Sequence, residues 1–258
     1  MAIITLTTDL GAKDFYQSAL KGSIMSLLPN VSLIDITHSI SPFNIQQAAF
    51  VLKNAFPYFP KGTVHLVGID SVYNQNTRYL AIKYHDHYFV GSDNGIFSLL
   101  FEDAPEEIVE LNIMQDLKFL HFPLTDILTK AACHLAKGGK TKEIGLTVST
   151  LEEKVNLQPV IERDMIRGSV IYIDSFQNVI TNITRDLFTK VQKNRGFILY
   201  FRKNESISQL SWHYNEVAEG EKLCLFGISN HLEIAINKGN ASGLLGLHLG
   251  DIVRIEFH

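Results

Sequence analysis

Polar residues follow several apolar, β-branched runs of this sequence, and their chemistry is the most informative feature of the chain. They lie at Asp9, Asp70, residues 92–94 and residues 174–178. Each preceding run is typical of a strand, and ligands of open α/β sheets bind just beyond the carboxyl ends of strands. The positions therefore predict a small-molecule site built from strand ends of two domains. The alternative is that Asp, Asn and Ser occur there only because they favour turns.

Asp9 has two interpretations, and the sequence leaves both open. It ends an apolar run at residues 3–8 and precedes Gly11, and the segment at 12–28 has apolar residues at helical spacing. A carboxylate at a strand end can accept two hydrogen bonds from a sugar diol or bind a cation. It can equally cap a helix that begins near Lys13, because Asp is a common N-cap residue.

The first half of the chain alternates strand and helix patterns, which is typical of an α/β layer architecture. Apolar runs bounded by turn residues predict strands over residues 31–37, 63–70, 79–84, 87–92 and 107–111. Periodic apolar residues predict helices over residues 44–56 and 124–136, and a short helix directly after Gly95.

The second half contains mainly strand patterns. After a polar stretch at residues 149–162, short apolar runs separated by turn residues follow at 168–174, 179–184, 196–202, 222–227, 232–237 and 251–257. They predict a small antiparallel, barrel-like domain. The predicted fold class is therefore α/β, with an N-terminal α/β layered domain over residues 1–155 followed by a small C-terminal antiparallel β-barrel domain over residues 165–258.

Composition and charge disfavour several classes of partner. The chain has 258 residues and a formal net charge of −4 with no run of Lys or Arg, so nucleic acid and anionic membranes are not expected to bind. No apolar stretch has the length of a membrane-spanning helix, and the N-terminus enters a strand at once, so we expect a cytoplasmic protein. Cys133 and Cys224 lie in apolar runs and are expected to be buried and unpaired.

Metal binding and three common catalytic motifs have little support. His85 and His87 lie at a predicted hairpin tip with only Asp86 beside them, whereas metal sites usually need three or four converging ligands. We therefore predict no metal site. The motifs Gly-x-Ser-x-Gly, Gly-x-Gly-x-x-Gly and the P-loop lysine motif do not occur, which argues against serine-hydrolase, dinucleotide and triphosphate sites in their usual forms.

Five motifs occur in the same order as in a known enzyme family and span nearly the whole chain. They are Thr-Asp-Leu-Gly at residues 8–11, His-Ser-Ile-Ser-Pro-Phe at 38–43, Asp-Asn-Gly at 93–95, Asp-Ser-Phe-Gln-Asn-Val-Ile-Thr-Asn-Ile at 174–183 and Leu-Glu-Ile-Ala-Ile-Asn-Lys-Gly-Asn-Ala-Ser at 232–242. Together they resemble the S-adenosyl-L-methionine hydroxide adenosyltransferases, whose superfamily includes fluorinating and chlorinating enzymes. Each motif is weak by itself, and five in register are specific.

The resemblance implies an activity and an assembly. The activity is hydrolysis of S-adenosyl-L-methionine to adenosine and L-methionine, by attack of water or hydroxide at the ribose C5′. No cofactor is implied beyond this substrate. The implied assembly is a homotrimer, with the nucleoside substrate between one subunit's α/β domain and its neighbour's β-barrel.

Carried over residue by residue, the resemblance also implies a set of substrate-binding residues. Asp9 binds both ribose hydroxyls, and Asn94 and Phe176 lie within the matched motifs. Phe43 and Phe122 are implied as apolar walls around the nucleoside. Asn178, with the backbone near Asn240 and Ala241, is implied at the adenine edge. Asp174 and Ser229 are implied at the methionine amino and carboxylate groups.

The same resemblance implies that Asp70, Arg78 and His121 position and deprotonate the attacking water. Here the chain departs from the family pattern. Residues 70–74 read Asp-Ser-Val-Tyr-Asn in place of Asp-Pro-Gly-Val-Gly, and residues 122–126 read Phe-Pro-Leu-Thr-Asp in place of Phe-His-Gly-Arg-Asp.

Two other functions stay open on these residues. A protein with the same nucleoside site but with impaired water-activating residues would bind adenosine or S-adenosyl-L-methionine without turnover. A halogenase is a third function, which is disfavoured because Leu124 stands where the fluorinating enzymes carry the serine that serves halide.

Overall fold

The structure is a computed structural model that describes residues 2–202 and 205–258. The chain divides into two compact units, the first ending at Asn156 and the second beginning at Leu157. Across the described ranges, none of the helices combines the length and the apolar character that a membrane span requires.

The first unit contains a mixed sheet with helices packed on it. Its strands are β1 (Ala2–Thr8), β2 (Val31–Thr37), β3 (Val64–Gly68), β4 (Tyr79–Tyr84), β5 (His87–Ser92), β6 (Glu107–Leu111) and β7 (Gly145–Thr147). Its α-helices are α1 (Tyr16–Leu27), α2 (Ile45–Ala55), α3 (Ile96–Leu100) and α4 (Ile127–Ala136). Short 3-10 turns occur at Phe56–Tyr58, Leu117–Phe119, Pro123–Thr125 and Thr141–Glu143.

The strands cross this sheet in the order β2-β1-β3-β5-β4-β6-β7. β2, β1, β3 and β5 run parallel to one another, whereas β4, β6 and β7 join by antiparallel pairing. Because parallel strands share a direction, the carboxyl ends of β1, β2, β3 and β5 meet at one edge of the sheet. We call this the carboxyl edge, and it consists of residues 9–11, 38–44, 69–71 and 93–95.

Apolar side chains form a core on each face of the sheet. On one face Leu6 of β1 packs in the same core as Ile24 of α1. On the other face Phe89 of β5 packs with Leu52 of α2 and Phe97 of α3. All five side chains are 0 % exposed, and each contributes roughly 1.5–3 kcal/mol by leaving water. This packing fixes the strands whose ends form the carboxyl edge.

Most predicted elements of the first unit are confirmed. The strands β2, β4, β5 and β6 have the predicted bounds. β3 ends at Gly68, so Asp70 lies beyond the last residue of its strand. α4 begins later than predicted, because Pro123–Thr125 forms a separate 3-10 turn and Asp126 has non-helical backbone angles.

The second unit is mainly antiparallel β structure. Its strands are β8 (Val160–Glu162), β9 (Met165–Ile173), β10 (Val179–Thr184), β11 (Phe197–Arg202), β12 (Glu205–Ile207), β13 (Lys222–Phe226), β14 (His231–Ile236) and β15 (Ile252–Phe257). Its α-helices are α5 (Arg185–Gln192) and α6 (Ala241–Leu245). A 3-10 turn spans Tyr214–Glu216.

The strands of this unit pair in the order β12-β11-β15-β9-β10-β14-β13, and β8 pairs with β9. All of these pairings are antiparallel. The end strands approach each other, because Lys222 of β13 forms an ion pair with Glu205 of β12 and Leu210 forms a bridge with Cys224 of β13. The sheet is therefore a nearly closed barrel, which confirms the predicted fold class.

A helix that the strand patterns do not predict closes the core of this barrel. Phe188 of α5 is 1 % exposed, and its ring centroid lies 5.1 Å from that of Phe197 and 5.4 Å from that of Phe257. α5 begins after Thr184, whose side chain accepts a hydrogen bond from the Leu187 N–H. The sequence predicts only strands over this part of the chain, so α5 and α6 correct that prediction.

Both cysteines are packed into apolar cores. Cys133 belongs to the first unit and Cys224 to the second, and both are free thiols. Burial raises the pKa of Cys133 to about 11 and that of Cys224 to about 12, so neither is a nucleophile at neutral pH. The prediction of buried, unpaired cysteines is confirmed.

Candidate functional site

Three loops of the carboxyl edge converge on the side chain of Asp9. Its Oδ2 accepts a hydrogen bond from the backbone N–H of Phe43 at 2.9 Å and a longer one from the N–H of Asp70 at 3.4 Å. Asn94 Nδ2 donates to the carbonyl oxygens of Ile69 and Asp70, at 2.9 and 3.4 Å. The structure thus brings together four residues that the resemblance places at the substrate or at the water: Asp9, Phe43, Asp70 and Asn94.

The backbone of the two residues that donate to Asp9 is unusual. Phe43 has a φ of 64° and Asp70 a φ of 44°, which is the left-handed region that residues other than glycine rarely adopt. Such a conformation costs on the order of 1–3 kcal/mol per residue. Strained backbone of this kind clusters at ligand sites, where the surrounding structure maintains it.

Asp9 does not cap a helix. α1 begins at Tyr16, its N-cap position is Phe15, and no side chain accepts a hydrogen bond there. The capping interpretation of Asp9 is therefore wrong. Within the described residues Asp9 Oδ1 accepts no hydrogen bond, so this oxygen can accept hydrogen bonds from a ligand.

Arg78 is held by residues other than Asp70. Its guanidinium forms an ion pair with Asp93, whose side chain is 1 % exposed, and donates to the Thr150 carbonyl at 3.3 Å. Glu110 lies 3.8 Å from the same guanidinium. Asp93 and Arg78 are also joined through the backbone, since the Asp93 N–H donates to the Arg78 carbonyl at 2.9 Å. Arg78 therefore links the ends of β4 and β5.

The predicted water-handling residues are held by different partners in the described part of the chain. His121 is exposed and directly precedes Phe122. In residues 2–202 and 205–258, Asp70, Arg78 and His121 form no hydrogen bond or ion pair among themselves. Their roles stay predictions.

Phe122 and Leu124 are packed within the first unit, Leu124 in its apolar core and Phe122 against that core. Phe122 is half-buried, and its ring makes an edge-to-face contact with Tyr16 at a centroid distance of 5.5 Å. Leu124 is 1 % exposed and covers Gly68 at the end of β3, where an added Cβ would lie 2.6 Å from the Leu124 methyl carbons. An apolar side chain thus fills the space beside Gly68.

In the second unit the loop after β9 forms a compact hydrogen-bonded structure. Asp174 Oδ1 accepts from the backbone N–H of Asn178 at 2.8 Å, and its Oδ2 accepts from Asn178 Nδ2 at 3.1 Å. The carbonyl of Gln177 accepts from the N–H of Ser242 at 3.0 Å, which joins the loop to the first turn of α6. Phe176 projects from the loop and is 79 % exposed.

The residues before α6 lie against this loop. Asn240 is the N-cap of α6, and its side chain accepts from the Gly243 N–H at 2.5 Å. Ala241 follows and is buried. Since Ser242 bonds to Gln177, the structure brings Asn240 and Ala241 near the loop that carries Asp174, Phe176 and Asn178.

Ser229 lies in the turn between β13 and β14, and Glu233 follows within β14. Ser229 Oγ is buried and, among the described residues, has no hydrogen-bond partner. Glu233 is 7 % exposed and accepts a hydrogen bond from the Tyr214 hydroxyl at 2.8 Å. Gly227 lies directly against it, since a Cβ at that position would meet Glu233 Oε1 at 1.7 Å.

The charges of Asp174 and Glu233 influence each other. Burial raises the pKa of Glu233, the Tyr214 hydrogen bond acts to lower it, and the charge of Asp174 raises it further. Burial and the hydrogen bond to Glu233 together raise the pKa of Tyr214. The raised pKa favours the neutral form of Glu233, which limits the repulsion between this carboxyl group and Asp174.

The sequence missed polar residues that support these groups. Thr8 directly precedes Asp9 and contacts His38, and Tyr214 contacts Glu233. Glu233 does carry a signal, because it is the charged residue in an otherwise apolar strand pattern at 232–236 and a buried charge requires a partner. Thr8 and His38 begin two of the five motifs, which is the signal that could have found them, whereas Tyr214 carries no comparable signal.

A large depression of the first unit is separate from these residues. Its volume is about 590 Å³, and Phe101, Glu107, Lys142 and Thr147 are among the residues that line it. Of the predicted site residues that the structure describes, none lines it. The candidate site therefore depends on the strand-end geometry alone.

Comparisons with known proteins agree over nearly the full chain. Residues 4–145 match a family model described as SAM hydroxide adenosyltransferase N-terminal domain, and residues 168–254 match the corresponding C-terminal domain. A "(R)-S-adenosyl-L-methionine hydrolase" of Methanocaldococcus jannaschii is 31% identical over 99% of this chain and 96% of its own length. A relative with the same name from Thermus thermophilus is 27% identical over 99% of this chain and 100% of its own length. A "Fluorinase" of an Actinoplanes species is 22% identical over 71% of this chain and 72% of its own.

Solved structures have the same fold. An uncharacterised conserved protein from Thermotoga maritima superposes with a TM-score of 0.88 at 31% identity, covering 98% of this chain and 99% of its own. A conserved hypothetical protein from Thermus thermophilus superposes with a TM-score of 0.78 at 28% identity, covering 99% of this chain and 100% of its own.

Proposed function

The chain belongs to the SAM hydroxide adenosyltransferase family, and from this premise we propose that it hydrolyses S-adenosyl-L-methionine to adenosine and L-methionine. The observation that carries the proposal is the Asp9 carboxylate, which is held by two backbone N–H groups with one oxygen unused. Full-length relatives named as hydrolases of this substrate support it.

In the first unit we assign the ribose and the water. Asp9 accepts hydrogen bonds from both ribose hydroxyls. The two bonds to Oδ2 fix its orientation, and Oδ1 offers two lone-pair positions to the diol. Phe43, which is 65 % exposed, and Phe122 provide apolar walls. Asn94 Nδ2 donates to the backbone carbonyl oxygens of Ile69 and Asp70 and so orients the backbone of Asp70.

In the second unit we assign the adenine and the methionine. Asn178 reads the adenine edge together with the backbone near Asn240 and Ala241, and the exposed Phe176 ring is a surface on which a base can pack. Asp174 binds the α-ammonium group. Ser229 Oγ, which has no partner in the described part of the chain, donates to the α-carboxylate.

The proposed reaction is an in-line displacement at C5′. The bond from C5′ to sulfur breaks and its electron pair stays on sulfur, so methionine leaves as a neutral thioether and needs no general acid. A bond forms between C5′ and the water oxygen, and one proton leaves that water. Positioning of the nucleophile dominates such a reaction, and a dry pocket favours attack on a cation by hydroxide.

Asp70 has the strongest support among the residues proposed to handle the water. It lies at the carboxyl edge with Asp9 and contacts it through its backbone. Arg78 is proposed to act from its ion pair with Asp93, and His121 from the exposed segment before Phe122. The proposal extends to a cytoplasmic homotrimer, as the resemblance implies, with the two halves of each site supplied by neighbouring subunits.

The test is product formation by the full-length protein. The protein is incubated with S-adenosyl-L-methionine, and adenosine and methionine are followed by chromatography. Because the relatives' names specify the (R) form, both sulfonium epimers are assayed separately. Asp9→Asn is expected to abolish most turnover, whereas Asp14→Asn, at an exposed position of the same loop, is the matched control. No adenosine above a heat-treated sample at saturating substrate would overturn hydrolysis.

A second candidate function is binding without turnover. The observation that favours it is the pairing of Arg78 with Asp93, which engages the arginine that would otherwise face the water. Calorimetric binding of S-adenosyl-L-methionine with no adenosine release would select this function. Halogenation has less support, because the buried Leu124 fills the space beside Gly68.

A further inference from the structure

We propose that Thr8, His38 and Asp35 form a relay that positions Asp9 for the ribose diol of the substrate. The proposal rests on the function proposed above, since it assumes that Asp9 is the ribose-binding residue. Thr8 and His38 touch no substrate in this scheme and act through Asp9, so they are positioning residues.

The relay is a continuous series of short polar contacts between β1 and β2. Thr8 Oγ1 forms a hydrogen bond of 2.6 Å with His38 Nδ1. His38 Nε2 lies 3.1 Å from Asp35 Oδ1, close enough for an ion pair but without the geometry of a hydrogen bond. Lys21 Nζ contacts the other oxygen of Asp35 at 2.6 Å. Thr8 is 0 % exposed and His38 6 % exposed, whereas Asp35 lies at the surface. The relay therefore connects the buried end of β1 to a surface ion pair.

The Thr8 hydroxyl joins two partners. Its Oγ1 accepts from the Leu10 N–H at 3.3 Å, and it also forms the hydrogen bond with His38 Nδ1, in which the imidazole tautomer decides the donor. Although partial burial acts to raise it, the hydrogen bond from Lys21 and the nearby His38 lower the pKa of Asp35, which keeps this end of the relay anionic.

The relay restrains the backbone on both sides of Asp9. Thr8 immediately precedes Asp9, and the N–H of Gly11 donates to the His38 carbonyl at 2.7 Å. The regular pairing of β1 with β2 shifts between Leu6 and Thr7. The side-chain contact of Thr8 with His38 thus connects the two strands just after their backbone pairing becomes irregular.

This restraint matters because a diol is bound through two hydrogen bonds at once. Both ribose hydroxyls must meet one carboxylate, and the Asp9 oxygens must keep their direction while Oδ2 also accepts from Phe43. Removing the Thr8 hydroxyl leaves the Leu10 N–H and His38 Nδ1 without this partner. The loop that carries Asp9 then loses its side-chain connection to His38, while the backbone hydrogen bond from Gly11 to His38 stays. The expected consequence is weaker hydrogen bonding between Asp9 and the ribose diol, with the binding of the base unchanged.

The test compares two ligands that differ only in the diol. Full-length protein is titrated calorimetrically with adenosine and with 2′,3′-dideoxyadenosine, and the ratio of the two affinities is the diol preference. Thr8→Val, which keeps the shape and removes the hydroxyl, is expected to reduce this preference by about tenfold. Thr8→Ser, which restores the hydroxyl, is expected to keep it within about twofold of wild type.

Two further variants complete the design. Thr37→Val removes a hydroxyl from the same edge that accepts from the Ser39 N–H of its own loop and, among the described residues, has no other side-chain partner. It is expected to leave the diol preference unchanged. Asp35→Asn changes the surface end of the relay without altering the buried core and is expected to reduce the preference by about threefold. It keeps the proposal testable if Thr8→Val does not fold.

The possible failures are distinguishable. A wild-type protein that does not prefer adenosine to the dideoxy ligand would overturn the ribose role of Asp9 and the relay with it. A wild-type preference that persists in Thr8→Val and Asp35→Asn would overturn the relay alone. An equal loss of affinity for both ligands in Thr8→Val would also overturn it, because that result indicates a structural role.

Discussion

The two units hold their predicted ligand carboxylates by different means. In the first unit Asp9 accepts hydrogen bonds from the backbone of Phe43 and Asp70, which lie 34 and 61 positions away in the sequence. In the second unit Asp174 is paired with Asn178 of the same loop, through the backbone and the side chain. The first arrangement depends on the order of the strands in the sheet, whereas the second is complete within one loop.

The difference shows which half of the site depends on the whole fold. A change that shifts β1 against β2 or β3 displaces Asp9, because its partners belong to other strand ends. The loop of Asp174 keeps its hydrogen bonds as long as the adjacent strands β9 and β10 stay paired. The carboxylate of the first unit is therefore the more sensitive of the two to distant substitutions.

The largest expected effect concerns the first carboxylate. Asp9→Ala is expected to weaken adenosine binding by about 2–4 kcal/mol, because two charge-assisted hydrogen bonds to the diol are lost. Calorimetric titration measures the change, with Asp14→Ala as the matched exposed control. An unchanged affinity would contradict the ribose-binding role of Asp9, and the comparison of the two carboxylates as ligand groups would no longer apply.

The second effect is an opposite response of the two units to acid. Burial, followed by the nearby His87, lowers the pKa of His65 to about 3 from 6.5, so the folded first unit resists a proton that the unfolded chain accepts. Its free energy of unfolding is expected to fall by up to about 1.4 kcal/mol per pH unit below pH 6.5. The pKa of Glu233 is raised, so its contribution is present at low pH and is lost as the pH rises through that pKa.

Amide hydrogen exchange measured at pH 7 and at pH 5 reports the stability of the two units separately. Protection is expected to decrease in the first unit and to be maintained or to increase around Glu233. His65→Gln is expected to reduce the acid sensitivity, whereas His85→Gln, at an exposed position of the hairpin, is the control. An equal decrease in hydrogen-exchange protection in both units would contradict the opposite pH responses expected for them.

A smaller effect tests the buried carboxyl of the second unit. Tyr214→Phe is expected to lower the free energy of unfolding by about 1–3 kcal/mol at pH 7, because Glu233 loses its donor. The loss should be smaller at pH 5, where Glu233 is more readily protonated. Chemical denaturation at both pH values measures it, and Tyr58→Phe, 73 % exposed, is the control. An equal loss at both pH values would contradict this explanation.

The smallest effect concerns the loop of Asp174. Asn178→Ala is expected to cost only about 0.5–1.5 kcal/mol of unfolding free energy, because the backbone hydrogen bond from residue 178 to Asp174 is kept. Asn178→Asp should cost more, since it places a second carboxylate against Asp174. Denaturation of both variants gives the order, and the reverse order would show that the loop is not held by this local pairing.

The strands of the first unit could be predicted because their signals are local. β2, β4, β5 and β6 are apolar runs bounded by turn residues, and their bounds follow from the sequence. The start of α1 could not be predicted, since residues 12–15 carry helix-compatible side chains but are not helical. α5 does carry a helical signal, because Leu187, Phe188 and Val191 follow the N-cap residue Thr184 at helical spacing. At eight residues it is too short to stand out from the strand patterns around it.

In the candidate site, too, local features could be predicted from the sequence and contacts between distant residues could not. The positions of Asp9, Asp70 and Asn94 after strands could be inferred, because the end of a strand is visible in the sequence. The contact of Asp9 with the Phe43 N–H could not, since it requires both the strand order and a left-handed φ at Phe43. The pairing of Arg78 with Asp93 is equally invisible, because two charges in separate turns have many possible partners.

The fit of Leu124 over Gly68 has an evolutionary consequence. A smaller residue at position 124 leaves a void that costs about 2–5 kcal/mol, and a larger residue at position 68 collides with the leucine methyl groups at 2.6 Å. Either substitution alone is harmful, whereas the two together can restore the volume. We therefore expect the two positions to be epistatic, so that a lineage that exchanges the leucine for serine must first tolerate, or already contain, a matching change at the end of β3.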